Sequence, residues 1–293
     1  MMLDVAQVEE EMLTMDLRRE YEEKGFVSFP ELLDSKQVQA LLNEIDRISA
    51  NSTLASHDKS RLEMEPDQKP DGRLIRRIYE PCTHYSPFKE LSDSARILDP
   101  VESLLGPDLL YQYSKLNMKP PSIGSVVEWH QDVTYYPLTN DSSLAVLIYL
   151  DDADVGNGCL LMLPGEHTGK ILDHNQNGYF VGKIVEPIDE SKAVPIEGKA
   201  GTAIFMHCMT PHASVTNRSN RPRRTLILSY RSADCYPVYT GDITDELESC
   251  TRQVRGKPAS SARFTFQQFP IPRRKQHVAS LYELQELSRK QTA

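Results

Sequence analysis

Six short apolar runs between Leu109 and Tyr230, separated by Pro, Gly, Asn and Asp, constrain the fold of this chain most. They are Leu110–Met118, Ser125–Gln131, Leu144–Leu150, Cys159–Leu163, Ala203–Met206 and Thr225–Tyr230. Runs of this length and spacing predict an antiparallel sandwich or barrel rather than alternating βαβ units. The expected fold is therefore mainly β with flanking helices, and no glycine-rich phosphate loop interrupts it.

Helical signals cluster at the front. Leu3 to Lys24 is rich in Glu, Leu and Met and stops at Gly25, which suits a glycine-capped helix before the extended run Phe26–Phe29. Val38, Leu41, Leu42, Ile45 and Ile48 recur at helical spacing, with Asp34 or Ser35 as the cap. Ser49 to Asp71 is polar and carries Pro66 and Pro70, and reads as a long surface loop or a lid. Asp93 to Leu105 forms another helix, ended by Gly106. At the far end, a basic irregular extension (Arg255 to Pro258, Pro270 to Lys275) precedes a short helix near Leu281–Leu287. The expected organisation is one domain, 1–293: a helical part to about 108, a jelly-roll core over about 109–232, and an extension over about 233–293.

Charge removes some function classes. Lys and Arg number 33 against 42 Asp and Glu, a net charge of −9, so the chain has no general attraction to nucleic acid or anionic lipid. Met1 to Arg19 is acidic and helix-like, and no stretch approaches the roughly 18 apolar residues of a membrane span, so a cytosolic protein with no membrane partner is expected. Five scattered cysteines without a C-x-x-C pair argue against a disulfide framework and a zinc ribbon. Buried free thiols are the default, and Cys208 is the one whose position beside His212 allows a redox role.

The chemistry starts at Glu128-Trp129-His130-Gln131-Asp132. On a strand, residues two apart point to one face, so an imidazole and a carboxylate converge. A second imidazole from a distant strand would complete a facial triad with open positions, the arrangement of non-haem Fe(II) oxygenases. An H-x-D alone is weak, since a lone strand histidine is more often a hydrogen-bonded structural residue. His212 is the best partner and His207 its rival. Arg223 opens the apolar run Thr225–Tyr230, where a buried guanidinium needs an anion; its planar fork fits the far carboxylate of a dicarboxylic cosubstrate. Ser214 can add a hydroxyl. The bland reading of Arg221, Arg223 and Arg224 is a solvated basic patch.

These residues closely resemble the phytanoyl-CoA dioxygenase family, which includes the ectoine hydroxylases. His130-Gln-Asp132 is similar to its metal motif, Gly158-Cys-Leu-Leu-Met-Leu-Pro-Gly-Glu-His167 to its glycine-to-P-G-x-H segment, and His212-Ala-Ser214, Asn217 and Arg223 to its distal motif. The likeness covers roughly Gly25 to Tyr230. It implies a double-stranded β-helix, a cupin-like jelly-roll, using Fe(II), 2-oxoglutarate and O2. Carried over, it makes His130, Asp132 and His212 the iron ligands, and Arg223 with Ser214 the clamp for the oxoglutarate C5 carboxylate. Asn117 matches a position that contacts the cosubstrate, whereas Tyr113 stands where relatives often have glutamine. The distal motif's offsets favour His212 over His207, and His167 becomes a structural turn residue. Gly156, Gly158 and Gly165 are expected in turns needing positive φ.

The implied reaction is hydroxylation of an aliphatic C–H of a small metabolite, with release of succinate and CO2. Desaturation and repeated oxidation use the same site. Asp132 fills the carboxylate position, which leaves no vacancy for a halide. Tyr136 is the expected substrate contact, while Trp129, Tyr135, Arg76, Arg77 and Tyr79 read equally well as core aromatics and surface charges. No adenine or phosphate loop supports a CoA thioester over a small metabolite. Two alternatives stay open: a zinc-dependent hydrolase, which has no need of Arg223 and Ser214, and a catalytically silent jelly-roll binding protein.

Overall fold

In the computed structural model, residues 16–123, 126–238, 248–273 and 284–287 are described. The strand β6 (Ser143–Tyr149) is buried along its whole length and shows how the sheet is built. Leu144, Val146 and Ile148 join one apolar cluster, and Ala145, Leu147 and Tyr149 join another, because alternate side chains leave opposite faces. β6 is flanked by β11 (Ala203–His207) and β13 (Arg223–Ser232), both antiparallel to it.

The large sheet runs β1-β11-β6-β13-β4-β3-β2, with β1 at Phe26–Phe29, β2 at Leu62–Met64, β3 at Ile75–Tyr79 and β4 at Leu109–Lys119. A further strand, β14 (Arg252–Arg255), also pairs with β4. The small sheet runs β10-β7-β12-β5, from Val194–Ile196, Leu160–Met162, His212–Ser214 and Val127–His130. A hairpin, β8 (Asn175–Gln176) and β9 (Tyr179–Phe180), stands apart. From β4 to β13 the chain steps back and forth between the two sheets, except from β7 to β10. Strands distant in sequence become neighbours, which is the winding of a double-stranded β-helix. The antiparallel jelly-roll expected from the sequence is the fold observed.

Helices cover the outer face of the large sheet. α1 (residues 16–24) ends at Gly25, where φ is +84° and an added Cβ would fall 2.5 Å from Thr210 Oγ1 and 2.6 Å from the His167 ring, so only glycine fits. The part of the predicted first helix before residue 16 lies outside the described residues. α2 (Ser35–Ser49) is capped by Asp34, whose side chain accepts from the Lys36 and Gln37 amides while Gln37 reaches back. It buries Val38, Leu41 and Ile45. α3 (Pro81–His84) and α4 (Ser86–Ser92) are additional to the sequence reading, and α5 (Ala95–Leu105) is the predicted third helix. Phe88 of α4 and Ile97, Leu98 and Val101 of α5 complete the outer core.

The segment 49–71 is not wholly a loop: it contributes β2 to the sheet, and Glu65 just after it is buried. Its apolar signal was too short to read, since only Leu62 and Met64 face inward. The extension adds β14, and the short helix expected near Leu281–Leu287 is present at 284–287, residues 281–283 lying outside the described ones. Among the described residues no helix is long and apolar enough to cross a membrane.

Candidate active site

His130 ends β5 and His212 begins β12, and the two are direct partners across that antiparallel pair. Eighty-two positions of sequence thus collapse to a ring-to-ring distance of 4.1 Å. Asp132 arrives differently from the expectation. It does not extend the strand but opens a 3-10 turn, Asp132–Tyr135, which folds its carboxylate back beneath the imidazoles. Asp132 Oδ1 lies 3.6 Å from His130 Nε2 and 3.9 Å from His212 Nε2. One ligand atom from each residue falls within 4.8 Å of the others, and all three residues are buried.

The imidazoles are held in the tautomer a metal needs. His130 Nδ1 lies 2.8 Å from the Glu128 carbonyl and His212 Nδ1 lies 3.0 Å from the Thr210 carbonyl. A carbonyl can only accept, so each Nδ1 carries hydrogen, and in the neutral ring Nε2 is the nitrogen left with a lone pair. Burial pushes His212 down to about 3, helped by His130 and opposed by Asp132. For Asp132 burial acts to raise the carboxyl, but His212, the His130 hydrogen bond and Lys115 outweigh it and hold it below the usual range. Two imidazoles and one carboxylate are a donor set suited to a divalent transition metal.

The cavity beside the triad is lined also by Lys115, Asn117, Ser214, Arg223 and Thr225. Arg223 is 3 % exposed. Its Nε and Nη2 donate to the Gly158 carbonyl at 3.0 and 2.8 Å, and its Nη1 donates to Thr225 Oγ1 at 2.8 Å. Among the described residues no carboxylate comes within 4.0 Å of it. Gly158 is required here: φ is +78° and a Cβ would sit 2.4 Å from the Val215 carbonyl. Gly165 also has positive φ, whereas Gly156 does not, so its turn needs no glycine on that ground. Lys119 pairs directly opposite Arg223 and is equally buried, and its Nζ donates to the Val215 carbonyl at 2.6 Å. Burial and the adjacent guanidinium push its ammonium well below the ordinary value. Arg224, on the other face, is clamped by Asp151 through its side chain at 2.9 and 2.6 Å. Arg223 and Arg224 thus leave opposite faces of β13, as neighbours on a strand do.

Comparison with known proteins identifies this architecture. The model of the family described as phytanoyl-CoA dioxygenase matches residues 21–225. The chain belongs to the phytanoyl-CoA dioxygenase family. A protein of Stutzerimonas stutzeri named probable alpha-ketoglutarate-dependent hypophosphite dioxygenase is 32 % identical over 228 residues, covering 75 % of this chain and 79 % of its own. A methylphosphonate hydroxylase of Gimesia maris is 27 % identical over 227 residues, covering 77 % and 82 %. Among solved structures, the apo form of the non-heme monooxygenase ThoJ superposes with a TM-score of 0.66 at 24 % identity, over 95 % of this chain and 94 % of that one. This member of the phytanoyl-CoA dioxygenase family is accordingly a non-haem iron dioxygenase that uses 2-oxoglutarate and O2.

Other parts of this dioxygenase were not read from its sequence. His174 Nε2 accepts from the backbone amide of Gln131 at 3.1 Å, between the two residues of the H-x-D motif, and its Nδ1 is fixed by the Leu172 carbonyl at 2.8 Å. The Gln131 side chain reaches the Leu172 amide and the Met209 carbonyl, joining β5 to the approach to His212. Gln285, fully buried in the helical turn 284–287, accepts from the Glu128 amide at 3.0 Å and donates to the Gly182 carbonyl at 2.5 Å. The same carbonyl accepts from Tyr135, whose ring packs 5.6 Å from that of His130. The extension therefore lies beside the triad. Nothing local in the sequence marks a histidine or glutamine for such work, because each acts through backbone groups far away.

The remaining expectations sort by position. His207 points away from the triad, its ring 5.3 Å from His167 and 5.9 Å from Tyr21. His167 sits in the 3-10 turn Glu166–Thr168 against Gly25, as a turn residue should. Tyr136 is buried with Leu138 and Cys235, its ring 5.6 Å from Tyr113, and does not line the cavity. Arg76 and Arg77 are buried, not surface charges. All five cysteines are free, and burial pushes the Cys208 thiol well above its ordinary value, which makes it unreactive.

Proposed function

We propose that His130, Asp132 and His212 are the iron ligands of this dioxygenase, that Arg223 holds the far carboxylate of 2-oxoglutarate with Ser214 and Asn117 beside it, and that the reaction hydroxylates an aliphatic C–H of a small metabolite. The observation that carries this reading is Arg223: a guanidinium buried at the end of a metal-suited cavity, with no carboxylate within 4.0 Å among the described residues. Such a charge is costly unless an anion joins it. Its fork is already oriented by Gly158 and Thr225.

With iron bound, the site supplies coupled oxidation, in which oxoglutarate and O2 give succinate and CO2 and the substrate C–H gains the second oxygen atom as a hydroxyl. The chain's own residues prepare for it. The Glu128 and Thr210 carbonyls aim the two Nε2 atoms, His174 holds the Gln131 amide, and Val127, Leu147, Leu160 and Ile227 give the cavity apolar walls. Two relatives are named for hypophosphite and methylphosphonate, small phosphorus oxyanions, and this supports a small substrate. Tyr136 supports Tyr113 from beneath in this reading.

Anaerobic addition of Fe(II) and 2-oxoglutarate tests it. The expected result is a weak visible metal-to-ligand charge-transfer band that forms in the native protein and not in Asp132→Ala. A native protein that binds zinc and never develops the band would favour the hydrolase alternative instead.

A further inference from the structure

We infer that Lys115 is the counter-ion for a negatively charged substrate, so that the molecule oxidised is a small aliphatic oxyanion, a phosphonate or a carboxylate. This rests on the iron and oxoglutarate reading above and names the substrate class for that site.

Lys115 lies on β4 between Tyr113 and Asn117, on the face that lines the cavity with the triad. It is half-buried, and its ammonium sits 5.4 Å from the centre of the Tyr113 ring. Its cross-strand neighbours, Tyr79 on β3 and Ile227 on β13, bring no charge. Among the described residues no carboxylate comes within 4.0 Å of it. Lys115 lines the same cavity as His130, Asp132 and His212, which places it beside the triad.

The charges around the cavity decide what is missing. Asp132 is the one carboxylate among the described lining residues. Counted over the described lining residues, a divalent iron, Asp132, Arg223 and Lys115 would together carry three net positive charges, 2-oxoglutarate would return two negative ones, and Lys119 behind Arg223 supplies no negative charge. One positive charge remains in a partly desolvated chamber, where an uncompensated charge is unfavourable. A neutral substrate leaves that excess in place, while a monoanion removes it. The tyrosine face contributes to holding the ammonium but does not neutralise it. The oxoglutarate carboxylate already has Arg223, whose geometry suits two-point binding, so the unclaimed cation falls to the second ligand.

The test uses the full chain loaded anaerobically with Fe(II) and 2-oxoglutarate. The charge-transfer band reports the loaded state, and calorimetric titration follows methylphosphonate, acetate and the uncharged dimethyl sulfone. At least one anion should bind and the sulfone should not, and the methylphosphonate and acetate arms distinguish the two oxyanions. Lys115→Met should weaken the bound anion by about tenfold or more, with oxoglutarate affinity and the band retained, and Lys115→Arg should restore most of the binding. The inference is overturned if neither anion binds, if the sulfone binds as tightly, or if Lys115→Met loses oxoglutarate rather than the anion. An absent band in the native protein would defeat the iron reading first, and this inference with it.

Discussion

Arg76 and Arg223 sit on the same large sheet and are nearly excluded from water, at 4 % and 3 % exposure. Arg76 on β3 meets three carboxylates: Glu63 at 3.1 Å, Glu65 at 3.3 Å and Glu286 at 2.6 Å. Burial works against its charge, but Glu65, Glu286 and Glu63 outweigh that and hold the proton more firmly. Arg223 on β13 meets a carbonyl, a hydroxyl and, directly opposite, another cation. The same side chain is a structural tie in one place and an incomplete site in the other. Burial alone does not distinguish the two; among the described residues, what differs is whether a carboxylate meets the guanidinium.

The strongest way to break this contrast is to remove the centre that Arg223 serves. Asp132→Ala and His212→Ala should bring succinate formation from 2-oxoglutarate to background while circular dichroism stays native, because each would delete one of the three proposed iron ligands. Near-normal succinate from either variant would mean the triad is misassigned.

Exchanging the two arginines' losses comes next. Arg223→Ala should weaken 2-oxoglutarate by roughly a hundredfold, since losing one partner of a buried charged pair costs about 3–5 kcal/mol and about 1.4 kcal/mol is tenfold. Iron affinity should hold, and Arg223→Lys should recover only part, because an ammonium has no fork. Arg76→Met should do the reverse, lowering the unfolding free energy by about 3 kcal/mol with oxoglutarate affinity unchanged in the folded protein. Titration calorimetry and denaturant melts of both variants would show whether the losses separate; equal losses of affinity would erase the distinction.

A smaller effect is expected one layer out. His174→Leu leaves the Gln131 amide without its acceptor and should weaken Fe(II) binding by about tenfold, the lower end of what outer-layer partners of metal ligands contribute. His174→Gln, which can still accept, should recover part. Equal iron affinity in all three proteins would reduce His174 to packing.

Arg224 gives the smallest and is the control for strand register. Its pairing with Asp151 is partly exposed, so Arg224→Ala should cost only about 1 kcal/mol of stability and leave oxoglutarate binding intact. A larger loss of oxoglutarate than in Arg223→Ala would mean the wrong arginine faces the cavity.

Much of this was legible because it is local. Alternation along Ser143–Tyr149 separates two cores, Asp34 and Gln37 close a capping box, and Arg223 beside Arg224 must point to opposite faces. The motif spacing paired His130 with Asp132 and the resemblance pointed to His212; the fold brings the three together, with Asp132 arriving through a 3-10 turn rather than along the strand. Backbone periodicity and capping act over a few residues, so a sequence alone determines them.

Only the tertiary structure decided who meets whom. His212 faces His130 because β12 and β5 pair, Arg76 is neutralised by a glutamate 210 positions away, and Lys119 stands against Arg223 because β4 borders β13. His174 and Gln285 serve the triad through backbone amides that no motif names. Which charges are cancelled and which are left for a ligand depends on long-range contacts, and the electrostatic cost of burial is set by those neighbours rather than by the residue type. The sequence therefore determined the elements and the candidate ligands, and the fold determined which of the described buried charges meet an opposite charge.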